Sequence, residues 1–241
     1  MSVDSHISKR MESVISMVAR GARVCDVGCD HAYVSIALVE RGISPFALAM
    51  DVNSGPLERA GEHIETAGLS GQIVTRLSDG LKAYNIGEAD TLIIAGMGGP
   101  LMRDILSYSF EKTNDFNEMI LSPQSEIPDF RAFLIDNGYT IVEENMVYED
   151  DKYYVVMKAV QGQESIPYSD VELAYGRISL SKSKDVLKSF LEKERKKIDT
   201  ILCKLNKQTQ TDEIIKRVVA LRGESERLGK AWSNLLKEEV Y

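Results

Sequence analysis

Short apolar segments alternate with helical patterns over much of the chain, and this alternation constrains the fold more than any other feature. Apolar runs of strand length occupy residues 23–27, 46–50, 73–77, 91–95 and 119–121. Amphipathic helical patterns separate most of these runs. Two segments of alternating polarity, residues 140–147 and 153–160, predict a final antiparallel pair. Because strands joined by crossover helices form a parallel sheet covered on both faces, the sequence predicts an α/β fold.

The sequence beyond residue 167 has a helical pattern throughout. A polar stretch at residues 161–167 contains Gly, Ser and Pro and predicts a linker. Two apolar stripes follow it, with a polar break at residues 208–211 between them. The stripes comprise Leu187, Leu191, Ile198, Ile201 and Leu205, then Ile214, Val218, Leu221, Ser225, Leu228, Trp232 and Leu235. We therefore expect two domains: residues 1–160, which include an N-terminal helix, and residues 161–241, which form an antiparallel coiled-coil hairpin.

Charge is distributed unevenly along the chain. The net charge is −8, which by itself argues against a nucleic-acid partner. Residues 176–241, however, hold 16 Lys and Arg against 10 Asp and Glu, a balance of +6, whereas residues 1–175 hold 13 against 27, a balance of −14. This asymmetry is typical of a C-terminal part that binds a polyanion, and equally of a coiled coil with a solvated basic face.

The composition excludes disordered, collagen-like and low-complexity proteins. Hydrophobic residues make up 44% and charged residues 27%, as in ordinary globular proteins. The longest uncharged apolar stretch is too short to span a bilayer, and we see no secretory leader, so we expect no membrane partner. An odd count of three cysteines fits a reduced, cytoplasmic protein. Cys25 and Cys29 lack the further His or Cys pair of a zinc site, so we expect no metal.

The turn after the first predicted strand carries the strongest chemical signal, Asp26-Val-Gly28-Cys-Asp30-His31-Ala-Tyr. It has one glycine where a dinucleotide fingerprint needs three. Asp26 would repel a phosphate but could bind the ammonium of an amino-acid group. Asp51 closes the second strand 23 residues after Gly28, where a carboxylate binds ribose hydroxyls. The pattern favours S-adenosylmethionine over a nicotinamide cofactor, unless Gly28 only forms a tight turn and Asp30 only caps a helix.

Two further turns follow predicted strands. In Ser78-Asp79-Gly80, Asp79 could accept a hydrogen bond from an adenine amino group, although Asp-Gly is also a common turn pair. Ala95-Gly-Met-Gly-Gly-Pro100 follows the fourth strand, where ligands bind in open α/β sheets. Its glycines allow the backbone to approach a flat substrate closely, or merely satisfy a loop that needs positive φ angles.

Taken together, the Asp26–Tyr33 turn, the Ala95-Gly-Met-Gly-Gly loop and Gly138-Tyr139 with Glu143 resemble the bacterial tRNA (adenine-N1)-methyltransferases that modify position 22, the TrmK family. The resemblance implies a class I methyltransferase fold of seven strands, the last antiparallel, and a C-terminal coiled-coil hairpin. It also implies S-adenosyl-L-methionine as the donor and a tRNA adenine as the acceptor. The chain departs from the family at residues 122–125, where Ser-Pro-Gln-Ser replaces a Gln-Pro-Asn-like stretch.

The resemblance and the motifs together predict a site. Adenine N1 already exposes a lone pair, so the enzyme must mainly align it with the donor methyl and tolerate positive charge on the ring. Asp30 is the first candidate for that catalytic role and His31 the second, with the carbonyls of Ala95 or Gly96 orienting the exocyclic amine. The predicted cofactor site comprises Asp26, Gly28, Asp30, His31, Asp51, Val52, Asp79, Gly80, Ala95, Gly96 and Met97. The predicted tRNA-backbone contacts are Lys9, Arg10, Lys193, Arg195, Lys196 and Lys197.

Two other functions remain open from the sequence. A methyltransferase of this fold could act on a small molecule or a protein, in which case the basic hairpin would be a lid or a dimer element. A non-catalytic module could bind RNA or a partner through the coiled coil. The presence of Asp26, Asp51 and Asp79 together counts against this alternative. We expect a monomer, and we expect His6 and His63 to lie on helix surfaces.

Overall fold

The protein forms two compact units, Met1–Ser165 and Ile166–Tyr241. The fold comes from a computed structural model that describes residues 6–177, 180–209 and 211–238. The division between the units falls inside the polar stretch 161–167.

The first unit contains the predicted alternation of strands and helices. Its strands are β1 (Val24–Val27), β2 (Ala47–Asp51), β3 (Ile73–Leu77), β4 (Thr91–Ala95), β5 (Glu118–Ser122), β6 (Tyr139–Glu149) and β7 (Lys152–Gln161). Its helices are α1 (Lys9–Met17), α2 (Tyr33–Glu40), α3 (Ser54–Thr66), α4 (Gly99–Tyr108), α5 (Phe110–Thr113) and α6 (Ile127–Asp136). The short helix α5 was not predicted; it begins because Ser109 leaves the helical conformation and its side chain accepts the Lys112 N–H.

All seven strands join one sheet in the order β3-β2-β1-β4-β5-β7-β6. Strands β1 to β5 are parallel, and β7 is antiparallel to both of its neighbours, β5 and β6. This confirms the predicted parallel sheet and its antiparallel end. The strand order reverses between β1 and β4, which is the point where open α/β sheets bind their ligands.

The central strands are apolar because helices cover both of their faces. Every residue of β2 and β5 is buried, and α2 contributes fully buried side chains such as Ile36 and Leu38. Burial of each such side chain stabilises the fold by about 1.5–3 kcal/mol. The edge strand β3 has a mostly exposed pattern. The rigid centre of the sheet therefore holds the ends of β1, β2, β4 and β5 in fixed positions.

The second unit is helical. Its helices are α7 (Asp170–Tyr175), α8 (Lys184–Leu205) and α9 (Asp212–Glu238). Ser169 and Glu172 form a reciprocal capping box that starts α7. The long helices pack antiparallel, since Lys188 near the start of α8 lies 5.8 Å from the ring of Trp232 near the end of α9. The buried members of the two predicted stripes are Leu187, Leu191, Ile198, Leu205, Val218, Leu228 and Leu235.

The helices of the described part of the chain include none that is long and apolar enough to cross a membrane.

Candidate methyltransferase site

A cavity of about 350 Å³ opens at the carboxyl ends of the central strands. Its volume is that of a small-molecule site. The residues that line it lie in or follow β1, β2, β4 and β5, or belong to α1. They are Arg10, Met11, Val14, Asp26, Gly28, Cys29, Asp30, His31, Tyr33, Val34, Asp51, Val52, Asn53, Ile93, Ala95, Gly96, Met97 and Gln124. The cavity thus lies at the point where the strand order reverses, as the topology requires.

The turn after β1 has an unusual backbone. Gly28, Asp30 and Ala32 have φ angles of 76°, 50° and 58°, so two residues other than glycine adopt the left-handed region. A Cβ on Gly28 would lie 2.2 Å from the terminal methyl of Met97. Helix α2 starts after Ala32 without any side-chain cap, so Asp30 is not a helix cap. Backbone conformations of this kind are typical of functional sites, and Asp30 lies in the lining of the cavity.

Asp26 places a carboxylate in the floor of the cavity. Only 5% of the residue is exposed, and the Ser35 hydroxyl donates a hydrogen bond of 2.9 Å to its Oδ2. Burial raises the pKa of Asp26 to about 6; the Ser35 hydrogen bond opposes this shift, and the charge of Asp51 adds to it. At neutral pH the floor therefore carries a poorly solvated negative charge, which would favour a cationic ligand group.

Asp51 lies on the next strand, at the end of β2. The residue is 9% exposed, and its Oδ1 accepts the Asn53 N–H at 2.9 Å. Val52, beside it, exposes 58% of its surface and lines the same cavity. The structure thus brings together the acids of β1 and β2 that the sequence singled out.

Arg10 lies at this cavity, where the sequence did not place it. We predicted that it would accompany Lys9 on an RNA-binding surface; Lys9 is exposed, but Arg10 lines the cavity. The guanidinium lies 5.2 Å from the centre of the Tyr154 ring. Its Nη1 atom is buried and has no hydrogen-bond partner in the described part of the chain. A buried, unpaired donor of this kind is costly, which favours an anionic ligand group beside it.

The position of Arg10 depends on Glu149, at the end of β6. Glu149 accepts the backbone N–H groups of Lys9 at 2.7 Å and Arg10 at 3.4 Å, which caps the start of α1 from 140 residues away in sequence. Burial raises the pKa of Glu149, but these hydrogen bonds outweigh it and hold the pKa below its ordinary value. No short-range motif could reveal this contact.

The three histidines of the chain gather around Tyr33. The ring centres of His6, His31 and His63 lie 5.0, 5.5 and 5.1 Å from that of Tyr33, with interplanar angles of 12°, 22° and 20°. His31 Nδ1 is buried without a hydrogen-bond partner in the described part of the chain, and its Nε2 lies 3.6 Å from Asp30 Oδ1. His6 and His63 therefore belong to an aromatic cluster beside the cavity, a grouping absent from the sequence analysis.

Asp79 and Gly80 lie apart from this cavity. Asp79 lines a neighbouring depression together with Val52, and its carboxylate pairs with the Lys82 ammonium at 2.6 Å. Gly80 packs against Ile105, whose Cγ1 would lie 3.0 Å from a Cβ on the glycine. Their assignment to the cofactor site stays a prediction.

The basic residues predicted in the hairpin are exposed on α8, namely Lys193, Arg195, Lys196 and Lys197. Lys197 pairs with Glu194 at 3.2 Å. Arg195 and Lys196 line a hollow of about 300 Å³ together with Trp232. Among residues 6–177, 180–209 and 211–238, no group of His, Cys, Asp and Glu side chains could hold a metal ion.

A seven-stranded sheet with an antiparallel last strand, and an acid-lined cavity where its order reverses, define a class I methyltransferase domain. In agreement, a family model described as a methyltransferase domain matches residues 7–157. That match covers more than half of the chain.

Comparison with individual proteins shows which methyltransferases this chain is similar to. The chain is 33% identical over 190 residues to the tRNA (adenine(22)-N(1))-methyltransferase of Bacillus subtilis (strain 168), covering 78% of this chain and 79% of the relative. The M. capricolum TrmK structure with S-adenosyl-homocysteine superimposes with a TM-score of 0.82 at 26% identity, over 95% of this chain and 98% of that one. A Streptococcus pneumoniae structure with S-adenosyl-L-methionine gives a TM-score of 0.81 at 32% identity, over 93% and 99%. The chain belongs to the tRNA (adenine(22)-N(1))-methyltransferase family, which confirms the resemblance.

Proposed function

We propose that this chain transfers a methyl group from S-adenosyl-L-methionine to N1 of adenine 22 in tRNA. The observation that carries the proposal is the cavity at the reversal of the strand order, with two buried carboxylates on adjacent strands. We infer the acceptor from the family to which the chain belongs, because the Bacillus subtilis relative is named for adenine 22 of tRNA.

The residues of the cavity fit the donor. Asp26 would hold the ammonium of its methionine part, and Asp51 would accept hydrogen bonds from its ribose hydroxyls. Arg10 Nη1, which has no hydrogen-bond partner among the described residues, would bind its carboxylate, since a guanidinium matches that group geometrically. The absence of a Cβ at Gly28 lets the Met97 side chain pack directly against this turn in the wall of the cavity. When bound, S-adenosylmethionine supplies a methyl group activated by a positively charged sulfur.

The residues of this chain need not remove a proton from adenine N1, because its lone pair is already available. Their task is to align the base and to stabilise the positive charge that develops on the ring. The Asp30 carboxylate is 70% exposed at the cavity and supplies a nearby negative charge, with the His31 ring 3.6 Å away. The carbonyls of Ala95 or Gly96 would accept a hydrogen bond from the exocyclic amine. Burial and the charges of Asp26 and Asp51 raise the pKa of Cys29, which favours the neutral thiol over the thiolate.

The C-terminal unit would bind the tRNA backbone. Its +6 balance from residue 176 onward and the exposed cations of α8 support this role, together with Lys9 of the first unit. Because a paired adenine hides N1, the target base must be unpaired or extruded. We propose that residues 1–160 and 161–241 divide donor chemistry and RNA binding between them, in a cytoplasmic monomer.

Methyl transfer by the purified full chain tests the proposal. A tRNA transcript with adenine at position 22 should accept methyl groups, whereas the same transcript with guanine there should not. Asp51→Ala should abolish most of the transfer, and Asp104→Asn, which removes an exposed carboxylate from α4, should leave it unchanged. Transfer to a metabolite or protein instead of tRNA would contradict the proposal, and so would donor binding without any transfer.

A further inference from the structure

The loop after β5 is fixed against the glycine-rich loop after β4. The backbone N–H of Gln124 donates to the Met97 carbonyl at 2.9 Å, and the Gly99 N–H donates to the Ser125 hydroxyl at 3.3 Å. A Cβ on Gly99 would lie 2.5 Å from the backbone carbonyl oxygen of Ser125. Only glycine allows the two loops to approach this closely, so the backbone at Gln124 is held in place.

A salt bridge strengthens this contact from the other side. The Arg103 guanidinium of α4 donates to Glu126 Oε2 at 2.6 Å. Glu126 itself has a φ angle of 50°, a conformation that residues other than glycine rarely adopt. These contacts together hold the loop of residues 122–126 in one conformation at the edge of the cavity.

The side chain of Gln124 projects from this fixed backbone into the cavity. Its Nε2 lies 3.7 Å from the place that a Cβ on Gly96 would occupy, and Arg10 Nη1 lies 3.2 Å from the same point. The carboxamide has no hydrogen-bond partner within the part of the chain that the structure describes, and the residue is exposed. A carboxamide on a fixed backbone, with no hydrogen-bond partner among the described residues, is available to a ligand.

We propose that the Gln124 carboxamide selects adenine at the acceptor position by binding its N6 amino group and N7. This inference rests on the proposed function. Methylation at N1 requires that N1 stay free, so the base must be recognised through another edge. A carboxamide matches that edge, because its oxygen accepts from N6 and its N–H donates to N7.

This arrangement also gives both hydrogens of the amino group a partner. The one beside N7 would go to Gln124, and the one beside N1 would go to a carbonyl of Ala95 or Gly96. Guanine presents oxygen in place of the amino group, so its O6 would face the carboxamide oxygen and be repelled.

Atomic substitution in the tRNA tests the proposal. A transcript with 7-deazaadenosine at position 22 keeps N1 and the amino group but has no N7. With the wild-type chain, kcat/KM for this substrate should fall by roughly tenfold, as expected when one hydrogen bond of a bidentate pair is removed. Gln124→Ala should lower kcat/KM for normal tRNA by about tenfold or more and leave donor affinity unchanged. On the 7-deaza substrate, Gln124→Ala should cause no additional decrease.

The role of Gln124 would be overturned if the 7-deaza substrate lowered kcat/KM of Gln124→Ala by the same factor as that of the wild-type chain. It would also be overturned if the wild-type chain methylated 7-deaza tRNA as fast as normal tRNA. Gln72→Ala is the matched control, because it removes an exposed glutamine from the opposite edge of the sheet, before β3, and should change neither rate. If wild-type protein fails to methylate normal tRNA, the proposed function fails. If it methylates both substrates equally, only the inference about Gln124 fails.

Discussion

Replacing Asp26 with asparagine should stabilise the protein and weaken its binding of the donor. The pKa of Asp26 rises from an ordinary value of 3.8 to about 6 in the fold, chiefly because of burial. Since one pH unit corresponds to about 1.4 kcal/mol, keeping this carboxylate ionised costs the folded state about 3 kcal/mol. Asp26→Asn removes that cost and keeps an oxygen that can accept the Ser35 hydrogen bond.

The effect has a definite pH dependence. Between pH 4 and 6 the folded state retains the proton that the unfolded chain has already released, so wild-type stability falls as the pH rises through this window and is constant above it. The variant should lack this fall. Chemical denaturation of both proteins from pH 4 to 8 should show the variant's relative stability rising by about 3 kcal/mol.

Asp26→Asn should lower the affinity for the donor although it raises the stability of the protein. Without the carboxylate, affinity for S-adenosylmethionine should fall by roughly ten- to hundredfold at pH 7.5, the cost of removing a charge-assisted hydrogen bond. Wild-type affinity should also decline below pH 6, where Asp26 takes up a proton. Asp104→Asn, at an exposed site, should change neither property. Parallel stability curves for wild type and Asp26→Asn, together with equal donor affinity, would refute the reasoning.

Three further predictions concern Asp51, Asp30 and the basic residues of α8. Asp51→Ala should weaken S-adenosylmethionine and S-adenosylhomocysteine equally, by about 1.5–3 kcal/mol in calorimetry; unchanged affinity for both would remove Asp51 from the site. Asp30→Ala should lower the single-turnover rate without altering donor affinity, and a matching decrease in affinity would make Asp30 a donor ligand instead. Charge reversal in α8 should flatten the dependence of tRNA affinity on salt, by roughly 0.7–0.9 in log–log slope for each phosphate that is no longer neutralised, and coincident binding curves would end that proposal. The residues to reverse are Lys193, Arg195, Lys196 and Lys197.

The local sequence predicts the sheet well because its signals are short-range. Apolar runs mark the strands, and strand-end acids such as Asp26 and Asp51 mark the ligand edge, since parallel strands bring their carboxyl ends together. The hairpin stripes are equally local; the structure buries Leu187 and Leu235 as the spacing predicts. What the sequence cannot show directly is which distant segments complete the site.

The residues that sequence reasoning missed are all placed by long-range contacts. Arg10 enters the cavity because Glu149, 139 residues later, caps α1 from the end of β6. His6 and His63 look like surface residues until the fold stacks them on Tyr33. Gln124 is held at the cavity by a backbone hydrogen bond to Met97 in another loop, which its own motif does not reveal. Such positions depend on tertiary packing and carry no periodic signal of their own.

The most direct test of the account is to identify the modified atom and nucleotide after reaction. A tRNA transcript treated with the purified full chain and S-adenosylmethionine should be digested and mapped by mass spectrometry, with nucleoside standards that separate N1- from N6-methyladenosine. We expect N1-methyladenosine at position 22 and no other new modification. Methylation at N6, at another nucleotide, or nowhere in the tRNA would contradict it.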